Sequence, residues 1–172
     1  MPTDYPAFSA RKMTVADIGA HRRAMGGEGE AHRLEAGGRS YHPDNCIMLV
    51  EEDGQIIGSV FVVFARPFRW PDADDTSQLP QIISFVVKEG HRNRGAGTYL
   101  VGAVEEEIRS RGLDRLYLGV NHRDPAAIRL YKRLGFATIS DEPYRTSWTY
   151  KDKDGVEQVE VEWLIDMVKH LS

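Results

Sequence analysis

Residues 86–100 read VVKEGHRNRGAGTYL: an apolar strand ends, a short cationic loop follows, and two glycines open a helix. Immediately upstream, residues 82–87 (IISFVV) make a β-rich run that predicts a buried strand. Downstream, Leu100, Val104 and Ile108 recur at i, i+4 and i+8, so residues 97–111 predict an amphipathic helix. Glu105–Arg109 and Glu107–Arg111 add favourably oriented i, i+4 pairs along it. Gly112 then stands at C′, where a left-handed residue ends a helix. A strand–loop–helix of this kind gathers unpaired N–H groups and the positive end of the helix dipole at one point, and that point binds anions. Gly95 and Gly97 let the backbone approach a phosphate without Cβ interference. Arg92 and Arg94 supply charge-assisted donors, and Thr98 a hydroxyl. The expected guest is a pyrophosphate. Two other phosphate motifs fail here. Gly90 and Gly95 have the outer spacing of a P-loop, but Ala96 and Gly97 replace its Lys and Ser/Thr, and the third glycine of the dinucleotide fingerprint falls at Leu100. The competing reading keeps the glycines for tight packing and the arginines for solubility.

The rest of the chain frames this segment. Its 172 residues predict one domain, 1–172, on the usual length prior. With 22 basic and 26 acidic side chains the formal charge is −4, which does not favour broad nucleic-acid binding. Cys46 is the one cysteine, so an internal disulfide and a Cys-rich zinc site are excluded. The six histidines lack metal-ligand spacing, and no metal is expected. The longest apolar run, residues 60–65, falls far short of the ~20 residues that span a bilayer. Residues 1–12 hold Asp4 and two prolines and predict no signal peptide, so the expected compartment is the cytoplasm.

Turn and cap signals order the remaining elements. Thr14 fits the N-cap of a short helix over 15–25, and residues 26–38, with five glycines, read as a loop or broken helix. Asp53-Gly54 between the apolar runs 47–51 and 56–64 predicts a hairpin. Residues 65–78, with Asp72, Asp74 and Asp75, read as a loop. Residues 116–120 predict a strand. Asp124 and Pro125 fit the N-cap and N1 of a helix that ends before Gly135. Residues 145–151 and 156–168 predict strands flanking an Asp-Lys-Asp-Gly turn. The pattern is α/β: a mixed sheet with helices packed on it.

Residues 120–136, VNHRDPAAIRLYKRLGF, carry a second motif, with Ala127, Leu130, Tyr131 and Gly135-Phe136 in one helix-to-strand unit. Together with Arg92-x-x-Gly95-x-Gly97, this resembles the GNAT superfamily of acyl-CoA-dependent N-acetyltransferases. The first segment is similar to the family's motif A, Gln/Arg-x-x-Gly-x-Gly/Ala, and the second to motif B, Asn-x-x-Ala-x-x-Leu-Tyr-x-x-x-Gly-Phe. Residues 166–171 are similar to the last strand of many members. One departure is Asp124, where motif B has Asn. Either residue caps a helix, but a polar contact to the cofactor becomes anionic or is lost.

The resemblance implies a mostly antiparallel central sheet flanked by helices and splayed between its two central strands, those holding 86–87 and 118–120. It implies acetyl-CoA as the acyl-donor substrate, with the pantetheine arm in that gap and no metal. Phe85, Val86 and Val87 would supply backbone groups to the arm, one N–H polarising the thioester carbonyl. Arg92, Asn93, Arg94, Gly95, Ala96, Gly97 and Thr98 would cradle the pyrophosphate, and Asp124 would lie near the cofactor. Tyr131 occupies the general-acid position and would protonate the leaving thiolate. The acceptor would be a primary amine of a small molecule or peptide, attacking the thioester directly; neither nucleic acid nor membrane is an expected partner. Extended C-terminal strands would serve as pairing edges in a homodimer. Some members carry a Glu base at the start of the motif A strand, where this chain has Gln81. Ser84, Glu35, Glu142 or a water chain are the remaining relays. Acceptor specificity would reside in 13–45, with the Asp72–Asp75 run attracting a cationic amine and Trp70, Trp148 and Trp163 either lining a pocket or filling the core. Two alternatives stand beside the enzyme: a non-catalytic acyl-CoA-sensing module, and a nucleotide-binding protein on the Gly95–Gly97 loop.

Overall fold

The computed structural model describes residues 7–25, 45–64 and 79–172. Asp53 and Gly54 take φ of +50° and +76°, the two left-handed residues that a tight two-residue hairpin demands. They join β2 (Cys46–Glu52) to β3 (Gln55–Val63) in antiparallel register. Strand β1 (Phe8–Lys12) pairs antiparallel on the outer edge of β2. Its sequence, FSARK, has too little apolar alternation to announce a strand. Asp17 accepts from the backbone N–H and the hydroxyl of Thr14, at 2.7 and 2.9 Å. That contact closes one turn of 3₁₀ helix, Val15–Asp17, which runs into α1 (Ile18–Met25).

Strand β4 (Gln81–Val87) lies antiparallel to β3. Helix α2 (Ala96–Ser110) follows the cationic loop, and β5 (Arg115–Asn121) returns parallel to β4. Asp124 caps α3 (Pro125–Arg133), its Oδ1 accepting from Ala127 N–H at 2.9 Å. A two-residue strand β6 (Ala137–Thr138), then β7 (Tyr144–Lys151) and the long β8 (Glu157–His170), complete the sheet. Its order is β1-β2-β3-β4-β5-β8-β6, with β7 also pairing β8. Among the described residues one junction alone, β4–β5, is parallel. The expected mixed, mostly antiparallel sheet is present.

The two faces of the sheet are covered differently. Strand alternation sends Met48, Val50, Leu118, Val120 and Met167 to one face, where Leu100, Val104 and Ile108 of α2 complete the main core. Ile47, Leu49 and Ile56 face the other way and meet Ala20 and Ala24 of α1. Cys46, at the start of β2, is half-buried, and burial followed by the nearby Glu107 carboxylate pushes its thiol pKa up. No helix among the described residues is long and apolar enough to cross a membrane.

Candidate active site

The β4–β5 junction opens almost as soon as it forms. Gln81 pairs with Tyr117 and Ile82 with Leu118, and the ladder stops there. The cause lies in β4. Ser84 takes φ of +52°, and the β3–β4 register shifts between Ser59 and Phe61. Such a bulge adds a residue to one strand, bends it and ends pairing on its free side. Beyond it, Lys88 N–H still donates to Ile57 of β3 at 2.8 Å. Alternation therefore turns the backbone groups of Phe85 and Val87 into the gap. Val86 faces β3, its carbonyl oxygen only 2.8 Å from where a Cβ on Gly58 would stand, which makes glycine obligatory there. Of the three residues expected to offer backbone groups to the gap, two do so.

Below the gap, Asn93 at φ +59° and Gly95 at φ +94° fold the cationic loop so that Gly95 caps α2. The N–H groups of Ala96, Gly97 and Thr98 begin the helix, where no preceding turn offers acceptors. Loop and helix start together form a concave row of donors suited to a polyanion. Arg92, Arg94 and His91 of the loop are already engaged. Arg92 Nε donates to Val87 O at 2.8 Å. Arg94 pairs with Glu52 at 2.6 Å, and His91 Nδ1 meets the same carboxylate at 2.7 Å. Desolvation pushes the Glu52 carboxyl up, but the hydrogen bonds from His91 and Arg94 outweigh it and hold it below the usual range. No local signal announced this contact, because it joins the turn of the β2–β3 hairpin to a loop about forty residues later.

Three residues tie the helix start to α3. Gly97 lies against Phe85, whose Cζ is 3.3 Å from the Cβ position of that glycine. Phe85 packs against Tyr131 with ring centroids 6.3 Å apart, and Tyr131 meets Phe136 edge-on at 5.9 Å. Tyr131 thus stands on the α2–α3 face at the gap. Burial, then the charge of Asp124, raises its pKa, so the phenol keeps its proton at neutral pH. On the other face, α1 directs the buried His21 to Ser59 Oγ at 3.0 Å. Gln81 takes part in the ladders with both neighbours. Glu142 is exposed, and Glu35, Trp70, Asp72, Asp74, Asp75 and the glycines of 26–38 lie outside the described residues.

A splayed parallel junction, a row of backbone donors at the helix start by its foot and a protonated tyrosine beside it are parts that suit acyl transfer from a pyrophosphate-bearing thioester. The family model for acetyltransferase (GNAT) matches residues 19–136. The chain belongs to the GNAT family. It is 39% identical over 62 residues to the uncharacterised N-acetyltransferase YobR of Bacillus subtilis, a match covering 36% of this chain and 25% of that protein. It is 30% identical over 134 residues to the streptothricin acetyltransferase of Streptomyces lavendulae, covering 78% of this chain and 61% of that one. The matched stretch is therefore less than two thirds of either relative. The GNAT fold also superposes on yncA from Salmonella typhimurium, solved with its cofactor acetyl-CoA: TM-score 0.62, 20% identity, 96% of this chain and 95% of that chain.

Proposed function

We propose that this GNAT chain transfers an acetyl group from acetyl-CoA to a primary amine of a small molecule or peptide, with the cytoplasm as its compartment. The observation that carries the reading is the gap itself, bounded by the Phe85 and Val87 backbone, with Tyr131 on one side and the start of α2 at its foot. In this reading residues 92–98 hold the diphosphate mainly through backbone N–H groups, with Asp124 capping α3 nearby. The pantetheine arm pairs with Phe85 and Val87. A gap-facing N–H stabilises the oxyanion as the amine attacks the carbonyl carbon. The C–S bond breaks, and Tyr131 protonates the sulfur. Burial raises the tyrosine pKa, and it raises that of the departing thiol in the same way, so the proton still has a destination.

Support also comes from the family membership and from relatives whose names carry N-acetyl transfer. The open strands of β7 and β8 are the edge through which a homodimer would form. The test is direct. With acetyl-CoA and a panel of primary amines, thiol release should rise with amine concentration and collapse in Tyr131→Phe. Tight acetyl-CoA binding with no transfer to any amine would favour a sensing module, a reading that Gln81, standing where a carboxylate base could be, keeps in view. Stabilisation by ATP beyond that by acetyl-CoA would overturn both.

A further inference from the structure

Strand β8 outruns its neighbour: it has 14 residues, and β5 has 7. Leu164 is matched to both Asn121 of β5 and Tyr144 of β7, so those two strands lie on opposite edges of β8. On the β5 edge Trp163 O accepts from His122 N–H at 3.0 Å, and on the other edge Asp166 O accepts from Ile139 N–H at 2.9 Å. Odd-numbered residues of β8 therefore turn both backbone groups to the β5 edge, and even-numbered ones to the β6 and β7 edge. His122 makes the last rung. Asp124 N–H returns to Asn121 O at 3.0 Å, and the chain turns away into α3. Among the described residues no strand continues the line of β5 past that point, so the N–H and C=O of Val161 and Val159 face an open edge. Their side chains are bare as well. Val159 is 65% exposed, Val161 44% and Trp163 46%. Alternation sets all three on the face of Ile165 and Met167, while Asp166 turns to the other face and accepts from Tyr144 Oη at 2.6 Å. Exposed Glu160, between the two valines, shares that other face.

We infer that this edge takes the acceptor as an extended peptide with its amino terminus leading, so that the group acetylated is a peptide α-amine. The inference rests on the acetyl-transfer reading and names the acceptor class and the surface that holds it. An open strand edge with apolar side chains is a template for an added strand. A strand antiparallel to β8 runs in the direction of β5 and continues its line, so its first residue stands beside the end of β5. There β5, parted from β4 after Leu118, borders the gap. A parallel strand would bring a carboxyl terminus to that point, which offers no amine. The second residue of the peptide exchanges both hydrogen bonds with Val161, the open residue nearest the gap, and the fourth does so with Val159. The first residue then points its nitrogen away from β8 and toward the gap. Its attack forms the C–N bond as the C–S bond breaks. An ammonium acceptor yields the N-acetyl peptide, free thiol and one proton released to solvent. Across the ladder the third residue lies opposite Glu160 and favours a basic side chain, and the second and fourth favour apolar ones against the valines. The outer edge of β7 stays available to a second copy.

The test compares the peptide amide Ala-Val-Arg-Val-Gly with alanine amide, which has an α-amine but no strand to add. For the wild type, kcat/KM should be at least about tenfold higher with the pentapeptide. N-methylation of its fourth residue should lower kcat/KM about three- to tenfold, the worth of one hydrogen bond. N-methylation of the third, whose N–H faces away from β8, should change it less than about twofold. Val159→Pro removes an edge-facing N–H and keeps the β7 ladder, which uses even-numbered residues. It should lower kcat/KM for the pentapeptide, relative to alanine amide, by about the same three- to tenfold. The methylated peptides carry the test should Val159→Pro lose its cooperative melt. Replacing the peptide's Arg by Glu should cost several-fold, and less at high salt. Equal rates for pentapeptide and alanine amide, or equal losses from the two methylations, overturn the assignment. So does a dimer in sedimentation that Val159→Pro dissociates, because the edge would then belong to a second copy. Failure of the wild type to acetylate either acceptor would count against the transferase reading instead. Calorimetry of the two methylated peptides on the CoA complex then decides the edge separately: weaker binding from the fourth-residue methyl alone upholds it, and identical binding ends it.

Discussion

The Phe85 ring stands 3.3 Å from where a Cβ on Gly97 would lie, so β4 and the first turn of α2 are held one side chain apart. Gly97→Ala makes that ring yield, and Tyr131, packed on its other side, must follow. Overpacking of this kind costs about 1–3 kcal/mol. The expected outcome is a lower melting temperature together with acetyl-CoA affinity weakened about tenfold by calorimetry. An unchanged affinity would show that the helix start does not approach the cofactor.

Tyr131→Phe removes one oxygen from a half-buried ring and leaves its contacts with Phe85 and Phe136 in place. A general acid is worth about 10²- to 10⁴-fold. Steady-state thiol release should show kcat falling within that range, with acetyl-CoA affinity within about twofold of wild type. A fall in stability at unchanged kcat would return the residue to a packing role.

Glu52 occupies both Arg94 and His91 of the loop that precedes α2. Glu52→Gln removes the anion from that cluster and leaves a guanidinium available to a diphosphate. Acetyl-CoA should bind several-fold more tightly at low salt, and the gain should shrink as ionic strength rises. Weaker binding would mean that Glu52 serves to hold the loop in shape.

His21 is buried against Ser59, and desolvation holds its pKa below the ordinary value of 6.5. The unfolded chain therefore takes up a proton that the folded one resists. Above about pH 6.5 the group contributes no pH dependence. Below it, stability falls as pH drops, by at most about 1.4 kcal/mol per unit. Urea melts from pH 7.5 to 5 should show this decline, and His21→Gln should flatten it. An equal slope in the variant would assign the decline to other groups.

Features written in local spacing were legible in the sequence. Asp53-Gly54 forced its turn, Asp124-Pro125 its helix start, and the Leu100–Val104–Ile108 stripe its buried face. What was not legible depends on contacts distant along the chain. Ser84 adopts a left-handed conformation with no glycine to announce it, because strand pairing imposes the bulge. The pairing of Arg94 with Glu52 spans 42 residues, and that of Asp166 with Tyr144 spans 22. The arginines of the loop look like phosphate ligands by composition alone. The fold shows that they first hold the loop to the β2–β3 hairpin and to Val87.

Cys46 also bears on how these predictions are measured. It is the chain's sole thiol, and its raised pKa keeps the sulfur protonated and a slow nucleophile toward disulfide reagents at assay pH. Colour that develops on the timescale of turnover therefore belongs to liberated coenzyme A. The same reticent sulfur offers a place for a label that, once attached under forcing conditions, would sit at the edge of the main core rather than at the chemistry.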